Sequence, residues 1–183
     1  MTAGAPWHGP GRIVAAMATL VMLASACGTT AQATPTRQPL PAGRYPSNIS
    51  KMICINEGPR DVNRALGQKA AVTTPTWVDH LYACHYTYPN GVMTLSDKEL
   101  SSKAETTAYF NSLGAQMGVA RTLANLGQGA FQTTNGSVVV RKDYKVLLVD
   151  ISGLPAQFGV PPTGPGAVAV TAGIVILGCW AGD

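Results

Sequence analysis

The chain has 183 residues, of which 46% are hydrophobic and 12% are charged, and its formal net charge is +4. This length suits one ordinary domain with processing segments, and the charged share is about half that of a typical soluble domain. The longest basic cluster is Arg141-Lys142, which excludes the dense Lys/Arg patches of nucleic-acid-binding proteins.

The first 26 residues have the three parts of a secretory signal peptide. A segment that ends in the basic residue Arg12 precedes the uncharged apolar run 13–24, and the small residues Ser25 and Ala26 follow it. The run is shorter than the roughly 20 residues that span a bilayer. We therefore predict that residues 1–26 are removed on export and belong to no fold.

The signal ends in the string LASAC, residues 23–27, which resembles the lipobox of bacterial lipoproteins. The usual lipobox has Leu three residues before the Cys, whereas here Ala24 holds that place and Leu23 precedes it. The resemblance implies that Cys27 carries diacylglycerol and palmitate-type acyl chains, which hold the protein on the extracytoplasmic side of the cell membrane. Two or three such chains anchor stably, because each buried methylene contributes about 0.8 kcal/mol. Plain secretion with cleavage near Ala26 is the alternative.

Residues 27–50 comprise the lipidated cysteine and a predicted tether. The segment is rich in Pro, Thr, Ala and Gly and shows neither alternation nor helical periodicity. This composition is typical of a disordered, partly polyproline-like spacer. We expect residues 51–183 to form a single extracytoplasmic domain.

The domain is predicted to begin with a short amphipathic helix over residues 59–67. Val62, Ala65 and Leu66 recur at the three- and four-residue steps of one helical face, and Gly67 is a suitable C-cap. A β-hairpin follows over residues 77–95. Its two strands meet at a turn that contains Asn90-Gly91, where Asn and Gly readily adopt positive φ.

The longest predicted helix covers residues 101–126, where apolar residues recur at helical spacing and Ser96, Ser101 or Ser102 is a candidate cap. Gly114 and Gly118 each weaken this helix by roughly 1 kcal/mol relative to Ala, so a break into two is the alternative. Three short strands follow, over residues 131–133, 137–141 and 144–151, and form a meander.

Residues 167–180 are uncharged and apolar. A buried helix is favoured, and a pair of strands joined at Ala172-Gly173 is the alternative. The uncharged stretch from Gly166 to Gly182 is short for a membrane span. The order of helices and strands predicts an α+β fold with an antiparallel sheet of five or more strands and helices packed on one face.

Three cysteines remain after Cys27, in what is expected to be an oxidising compartment. We predict a Cys54–Cys84 disulfide, which would tie the segment before the first helix to the hairpin and stabilise the fold by roughly 3 to 4 kcal/mol. Cys179 would then be a buried free thiol. Pairing of Cys179 with Cys54 or Cys84, or with another chain, stays open.

The aromatic residues of the hairpin are the candidate lining of a ligand groove. They are Trp77, Tyr82, Tyr86 and Tyr88. Packing within the core of the sheet is the commoner fate of such residues. No metal site is predicted, because His80 and Cys84 share one strand face while Asp79 and His85 point the other way. Gly127-Gln128-Gly129 lacks the third glycine of a phosphate loop and is predicted to be a turn.

A family resemblance covers about residues 54–151. The residues that carry it are Cys54, Leu66-Gly67, Cys84 with Tyr86, and the segment 126–131, LGQGAF. This pattern resembles exported lipoproteins of unknown function that are common in actinobacteria, which in turn resemble the extracellular sensor domains of some mycobacterial kinases. The third mature cysteine departs from their two-cysteine pattern. The resemblance implies the same disulfide and fold class, and it implies no activity.

Catalytic patterns are weak throughout the sequence. No serine lies in a nucleophile-elbow setting, and the nine acidic residues are scattered. We therefore expect a protein that is not an enzyme, uses no cofactor and does not bind nucleic acid. It is interpreted as a non-catalytic ligand-binding or sensing module of the cell envelope, with a small apolar molecule or a glycan as ligand. The alternative is a structural or accessory protein that binds another envelope protein.

Overall fold

The structure is a computed structural model that describes residues 40–180. The predicted signal peptide and Cys27 lie outside the described residues. The helices are α1 (Asn48–Lys51), α2 (Glu57–Leu66), α3 (Lys103–Met117) and α4 (Pro165–Trp180). The strands are β1 (Ala71–Val72), β2 (Thr76–Val78), β3 (Leu81–Tyr88), β4 (Gly91–Glu99), β5 (Val119–Leu123), β6 (Gly129–Thr133), β7 (Val138–Lys142) and β8 (Lys145–Gly153).

All eight strands belong to one sheet, and every pairing between them is antiparallel. The strand order is β1-β3-β4-β8-β7-β6-β5, and β2 pairs with β3 beside β1. The α+β class and the antiparallel sheet of more than five strands are confirmed. Strand β5 lies at one edge of the sheet, which positions the site described below.

Apolar side chains cover both faces of the sheet. Val138 and Val140 of β7 pack with α2 and α4 in the larger core. Val139, which points to the opposite face, packs with Leu113 of α3 in a second core. The expectation that the helices share one face is therefore corrected: central strands that are apolar on both sides require a helix on each side.

Residues 42–50, which precede the predicted domain, are part of the fold. Ala42 donates its backbone N–H to the Leu100 carbonyl at 3.0 Å. Ser47 caps α1 by accepting the Ser50 N–H, and Ser50 itself is fully buried. The prediction of a disordered tether over residues 27–50 is thus corrected for its C-terminal part, and residues 27–39 lie outside the described residues. Composition did not reveal that Ser47 and Ser50 meet polar partners on β4.

The first predicted helix is confirmed as α2. Gly67 ends it in the left-handed conformation, with φ of 60°, and the Gly67 N–H bonds the Arg64 carbonyl. Val62 and Leu66 are buried as predicted. Ala65 is exposed instead, because only one narrow stripe of this short helix faces the core.

The hairpin forms with a break that the alternating pattern did not indicate. Asp79 and His80 both have positive φ and make a tight turn, so β2 folds back on β3. The second strand, β4, continues beyond the predicted end at Leu95 as far as Glu99. The turn at Pro89 and Asn90 is where the sequence predicts it, but neither Asn90 nor Gly91 has the expected positive φ.

The predicted helix over residues 101–126 ends early. Ser102 caps α3 as one of the three candidates, but Gly118 has φ of 71° and ψ of 143°, which is not helical. The chain then reverses into β5, so residues 119–123 form a strand. Helical spacing of apolar residues continued past Gly118 by chance, and the glycine conformation decides the boundary.

The remaining elements follow the prediction. Strands β6, β7 and β8 form the meander, and α4 is a helix rather than a pair of strands. Among residues 40–180, no helix is both long and apolar enough to cross a membrane. The Cys54–Cys84 disulfide is confirmed, whereas Cys179 is unpaired and half-buried rather than buried.

Candidate functional site

The aromatic residues of the hairpin do not line a groove. Tyr82, Tyr86 and Tyr88 are at most 6% exposed and belong to the larger core. Tyr86 donates its hydroxyl to the Ile53 carbonyl at 2.5 Å, and burial raises the pKa values of Tyr86 and Tyr88. The prediction that these tyrosines line a ligand groove is wrong. Alternate residues of a strand point to the same face, and on β3 this places the three tyrosine side chains on the face that the larger core covers.

Trp77, the fourth residue of that candidate groove, is half-buried at the end of the sheet. Its indole N–H donates to the Arg44 carbonyl at 3.0 Å, so the ring fastens the N-terminal segment to β2. Its ring also meets the His80 ring edge-on, with centroids 5.6 Å apart. Trp77 is the cross-strand partner of Tyr82 and packs against the larger core, so its contacts are structural.

The polar residues of the same segment do not converge. His80 lies in the turn after β2, Cys84 is bonded to Cys54, and His85 Nδ1 lies 2.9 Å from Thr94 Oγ1. Between residues 40 and 180 there is no group of three or more His, Cys, Asp or Glu side chains arranged to hold a metal ion. Gly127-Gln128-Gly129 forms the turn into β6.

A groove of about 420 Å³ opens between α3 and the edge of the sheet. We call it the α3–β5 groove. Its lining residues come from α3, β5 and β6, and they are Phe110, Asn111, Gly114, Ala115, Val119, Thr122, Gly129, Ala130 and Phe131. Its volume is in the range of small-molecule sites, which are typically about 300–1,000 Å³ and mostly apolar.

Two sequence features create this groove. Gly118 stops α3, so β5 turns back beside the helix and forms the second wall. Gly114 has no side chain where a Cβ would lie 3.2 Å from Val119 Cγ2 and 3.6 Å from Phe131 Cζ. The space that a larger residue would fill remains open. Phe110 and Phe131 meet edge-on below it, with ring centroids 4.9 Å apart.

One end of the α3–β5 groove carries a positive charge. Arg141 on β7 pairs in register with Gly129 on β6, and its guanidinium carbon lies 5.5 Å from the Phe110 ring centroid. Nη1 donates to Thr107 Oγ1 at 2.6 Å, and Nη2 donates to the Gln128 carbonyl at 3.2 Å. The guanidinium is therefore held in place against two lining residues.

A second polar feature, the α1 cluster, lies under α1. It consists of Ser50, Asp97, Glu99 and Lys145. Ser50 Oγ bonds Asp97 Oδ2 at 2.5 Å and also bonds Glu99 Oε1, and Lys145 Nζ lies 3.9 Å from Glu99 Oε1. Since one hydroxyl donates only one proton, both contacts are satisfied when protonated Asp97 donates to Ser50 and Ser50 donates to Glu99.

The pKa shifts of Asp97 and Glu99 agree with this arrangement of protons in the α1 cluster. Burial raises the pKa of Asp97 to about 7, so below neutral pH this carboxyl is protonated and can donate to Ser50. Burial acts to raise the pKa of Glu99 as well, but bonds from Ser47 and Ser50 and the Lys145 ammonium together lower it. Ser50 and Asp97 are fully buried, so no substrate reaches them. The cluster fastens α1 to the sheet.

Comparisons with protein-family models, curated proteins and solved structures find no match. The proposed function therefore depends on the α3–β5 groove. Sequence reasoning missed it because residues 119–123 were assigned to a helix. The available signal was the spacing of Gly114 and Gly118, which lie one helical turn apart. The first leaves a helix face without a side chain, and the second can end the helix.

Proposed function

We propose that this chain is a lipoprotein anchored on the extracytoplasmic side of the cell membrane, and that its domain is a non-catalytic module that binds an apolar small molecule in the α3–β5 groove. The observation that carries the proposal is the open, apolar cleft floored by Phe110 and Phe131. Burial of a ligand there gains about 25 cal/mol for each Å² of apolar surface removed from water.

The composition of the groove supports binding rather than catalysis. Its nine lining residues include no acidic, basic or sulfhydryl side chain, and their polar groups are the Asn111 amide and the Thr122 hydroxyl. Acid–base or nucleophilic chemistry needs titratable groups within hydrogen-bond reach of the ligand. A cleft of this kind holds an apolar molecule without a group that would transform it.

The binding proposal is tested with the neutral fluorophore N-phenyl-1-naphthylamine. The full chain carrying Cys27→Ser is titrated, so that no attached acyl chain competes. We expect saturable binding at one site, abolished by Gly114→Leu, which fills the cleft. Gly178→Leu is the matched control, because Gly178 lies on α4 with open space around it. Absent saturation, or equal binding by the Gly114→Leu variant, contradicts the proposal.

The anchor is proposed from the LASAC string that ends at Cys27, a residue outside the described range. The disulfide supports an oxidising compartment, because such bonds are rare in reducing cytosol. Labelled palmitate is expected to enter the chain in cells and to be lost with Cys27→Ser. Label that persists in this variant, or that never enters the parent chain, contradicts the anchor.

A second candidate function is the accessory role of binding another envelope protein. It is favoured by β5, which within the described residues pairs only with β6 and exposes four of its five side chains. Such an edge accepts an added strand from a partner. A photo-crosslinking residue at Ala120 would trap one partner of defined mass, whereas the same residue at the exposed Ala104 of α3 would not. If the residue at Ala120 forms no adduct, this candidate function is ruled out.

A further inference from the structure

We infer that the ligand of the α3–β5 groove is an amphipathic anion of the fatty-acid class, with its carboxylate on Arg141 and its chain along the apolar cleft. This inference rests on the proposed binding function and deepens it. Arg141 is outside the set of residues that line the cleft, yet its guanidinium borders two of them, Phe110 and Gly129.

Arg141 has unused hydrogen-bonding capacity. A guanidinium has five N–H groups in a fixed fork that suits a carboxylate. Two of them are bonded, to Thr107 and to the Gln128 carbonyl. The buried Nε has no partner among the described residues. Nη1 and Nη2 each keep a second N–H group, and a carboxylate ligand would accept hydrogen bonds from these groups.

The positive charge of Arg141 also favours an anionic ligand. No described carboxylate forms an ion pair with Arg141. Asp143, two residues along the chain, is engaged by Gln128 instead, whose amide Nε2 donates to Asp143 Oδ1 at 3.0 Å. The positive charge at this end of the groove is therefore not neutralised by a neighbouring side chain. An anion bound there would gain a charge-assisted hydrogen bond.

Gly129 borders both the groove and the guanidinium. At Gly129 a Cβ would lie 3.6 Å from Arg141 Nη2 and 3.8 Å from Nε, which is ordinary contact distance. Because Gly129 lacks that atom, no side chain of residue 129 separates the groove from the guanidinium. Phe110 completes the junction, since its ring packs against both the guanidinium and Phe131. A polar head and an apolar tail would thus each meet a matching surface.

The test compares decanoate with 1-decanol, which share a chain length and differ in charge. Binding is measured by calorimetry at pH 7.5 with the full chain carrying Cys27→Ser. We expect decanoate to bind at least tenfold more tightly than decanol. Arg141→Met, which keeps the apolar stem, is expected to remove this preference and to leave decanol affinity within about threefold.

Two further variants keep the result interpretable. Gly129→Val retains the charge but fills the junction with a residue that suits a strand, so the preference for decanoate is expected to fall by at least fivefold even if Arg141→Met does not fold. Arg121→Met is the matched control, because Arg121 lies on β5, outside the groove lining, and bonds Gln132; it is expected to leave the preference unchanged.

The outcomes separate the two proposals. Equal affinity of the parent for decanoate and decanol, or a preference that survives both Arg141→Met and Gly129→Val, overturns the assignment of the anion to Arg141 while the groove remains a binding site. Failure of both amphiphiles to bind overturns the proposed function together with this inference.

Discussion

The guanidinium carbon of Arg141 lies 5.5 Å from the centroid of the Phe110 ring. A cation over an aromatic face gains about 0.5–2 kcal/mol, according to its exposure. The contact joins β7 to α3 and fixes a positive charge at one end of an apolar groove. Small-molecule sites combine these two properties, an apolar lining and a few fixed polar groups that orient the ligand.

Gly114 keeps the groove open at the expense of helix stability. We expect Gly114→Ala to raise the free energy of unfolding by up to about 1 kcal/mol, since Ala is the better helix former. The added Cβ lies 3.2 Å from Val119 Cγ2, and this exposed valine can move. The same change is expected to weaken binding of N-phenyl-1-naphthylamine several-fold. Urea unfolding and fluorescence titration measure the two effects.

The control for this prediction is Gly178→Ala on α4, where an added Cβ meets nothing within 4 Å. It is expected to change stability in the same direction and to leave ligand binding as it is. A Gly114→Ala variant with undiminished affinity would show that the ligand does not occupy the cleft beside Val119.

Gly118 determines where α3 ends. Its φ of 71° with ψ of 143° is a conformation that residues with a side chain rarely adopt. In addition, an added Cβ would lie 2.8 Å from Thr134 Cγ2. We expect Gly118→Ala to lower the free energy of unfolding by about 1–3 kcal/mol, measured by chemical denaturation. A neutral outcome would mean that β5 is not held in this orientation.

The Cys54–Cys84 disulfide joins residues 30 positions apart in the chain. Replacing both with Ala is expected to lower the free energy of unfolding by about 3–4 kcal/mol, because the unfolded chain regains the entropy of an open loop. Cys179→Ala, at an unpaired half-buried thiol, is expected to change it by less than about 1 kcal/mol. If the double Ala variant and Cys179→Ala lose similar free energies of unfolding under non-reducing conditions, the result contradicts the Cys54–Cys84 disulfide.

Asp97 makes stability depend on pH. Burial raises its pKa from 3.8 to about 7, so the folded state holds this proton more tightly than the unfolded chain. The resulting stabilisation is complete below pH 3.8 and is lost as the pH rises towards 7. Glu99 has the opposite sign, because its pKa is lowered; its contribution is present above pH 4.5 and is lost as the pH falls through its folded value.

The measurement is the free energy of unfolding from roughly pH 5 to 8, where Asp97 is the member of the α1 cluster whose charge changes. The parent is expected to lose stability with rising pH relative to Asp97→Asn, which cannot ionise but can still bond Ser50. Asp79→Asn, in an exposed turn with positive φ that suits Asn, is the control and should follow the parent. Parallel curves for the parent and Asp97→Asn would contradict the raised pKa.

Much of the fold could be predicted from short-range patterns. The alternation of apolar residues identified β3 and the meander, and Gly67 marked the end of α2. The segment Pro89-Asn90-Gly91 identified the place of the hairpin turn, although neither Asn90 nor Gly91 has the expected positive φ. These signals are local, since each depends on residues within a turn or a strand of one another. The disulfide partner of Cys54 was likewise predicted correctly from the position of Cys84 on the first long strand.

The groove could not be predicted, because it depends on contacts between distant residues. A glycine at position 118 is compatible both with a helix that continues and with a helix that ends. The pairing of β5 with β6 decides that α3 ends there. Likewise, Ser50 lies in a segment of tether-like composition, yet Asp97, 47 positions later, holds it in the fold. Tertiary contacts override the local secondary-structure propensity where they contribute more free energy.

The most direct test of ligand binding in the α3–β5 groove is a ¹H–¹⁵N correlation spectrum of the full chain carrying Cys27→Ser, recorded while decanoate is added. We expect saturable shifts that are largest at the amides of Phe110, Gly114, Gly129 and Phe131, with the amides of α2 unchanged. Shifts confined to another face of the domain, or a spectrum unchanged at millimolar decanoate, would contradict ligand binding in this groove.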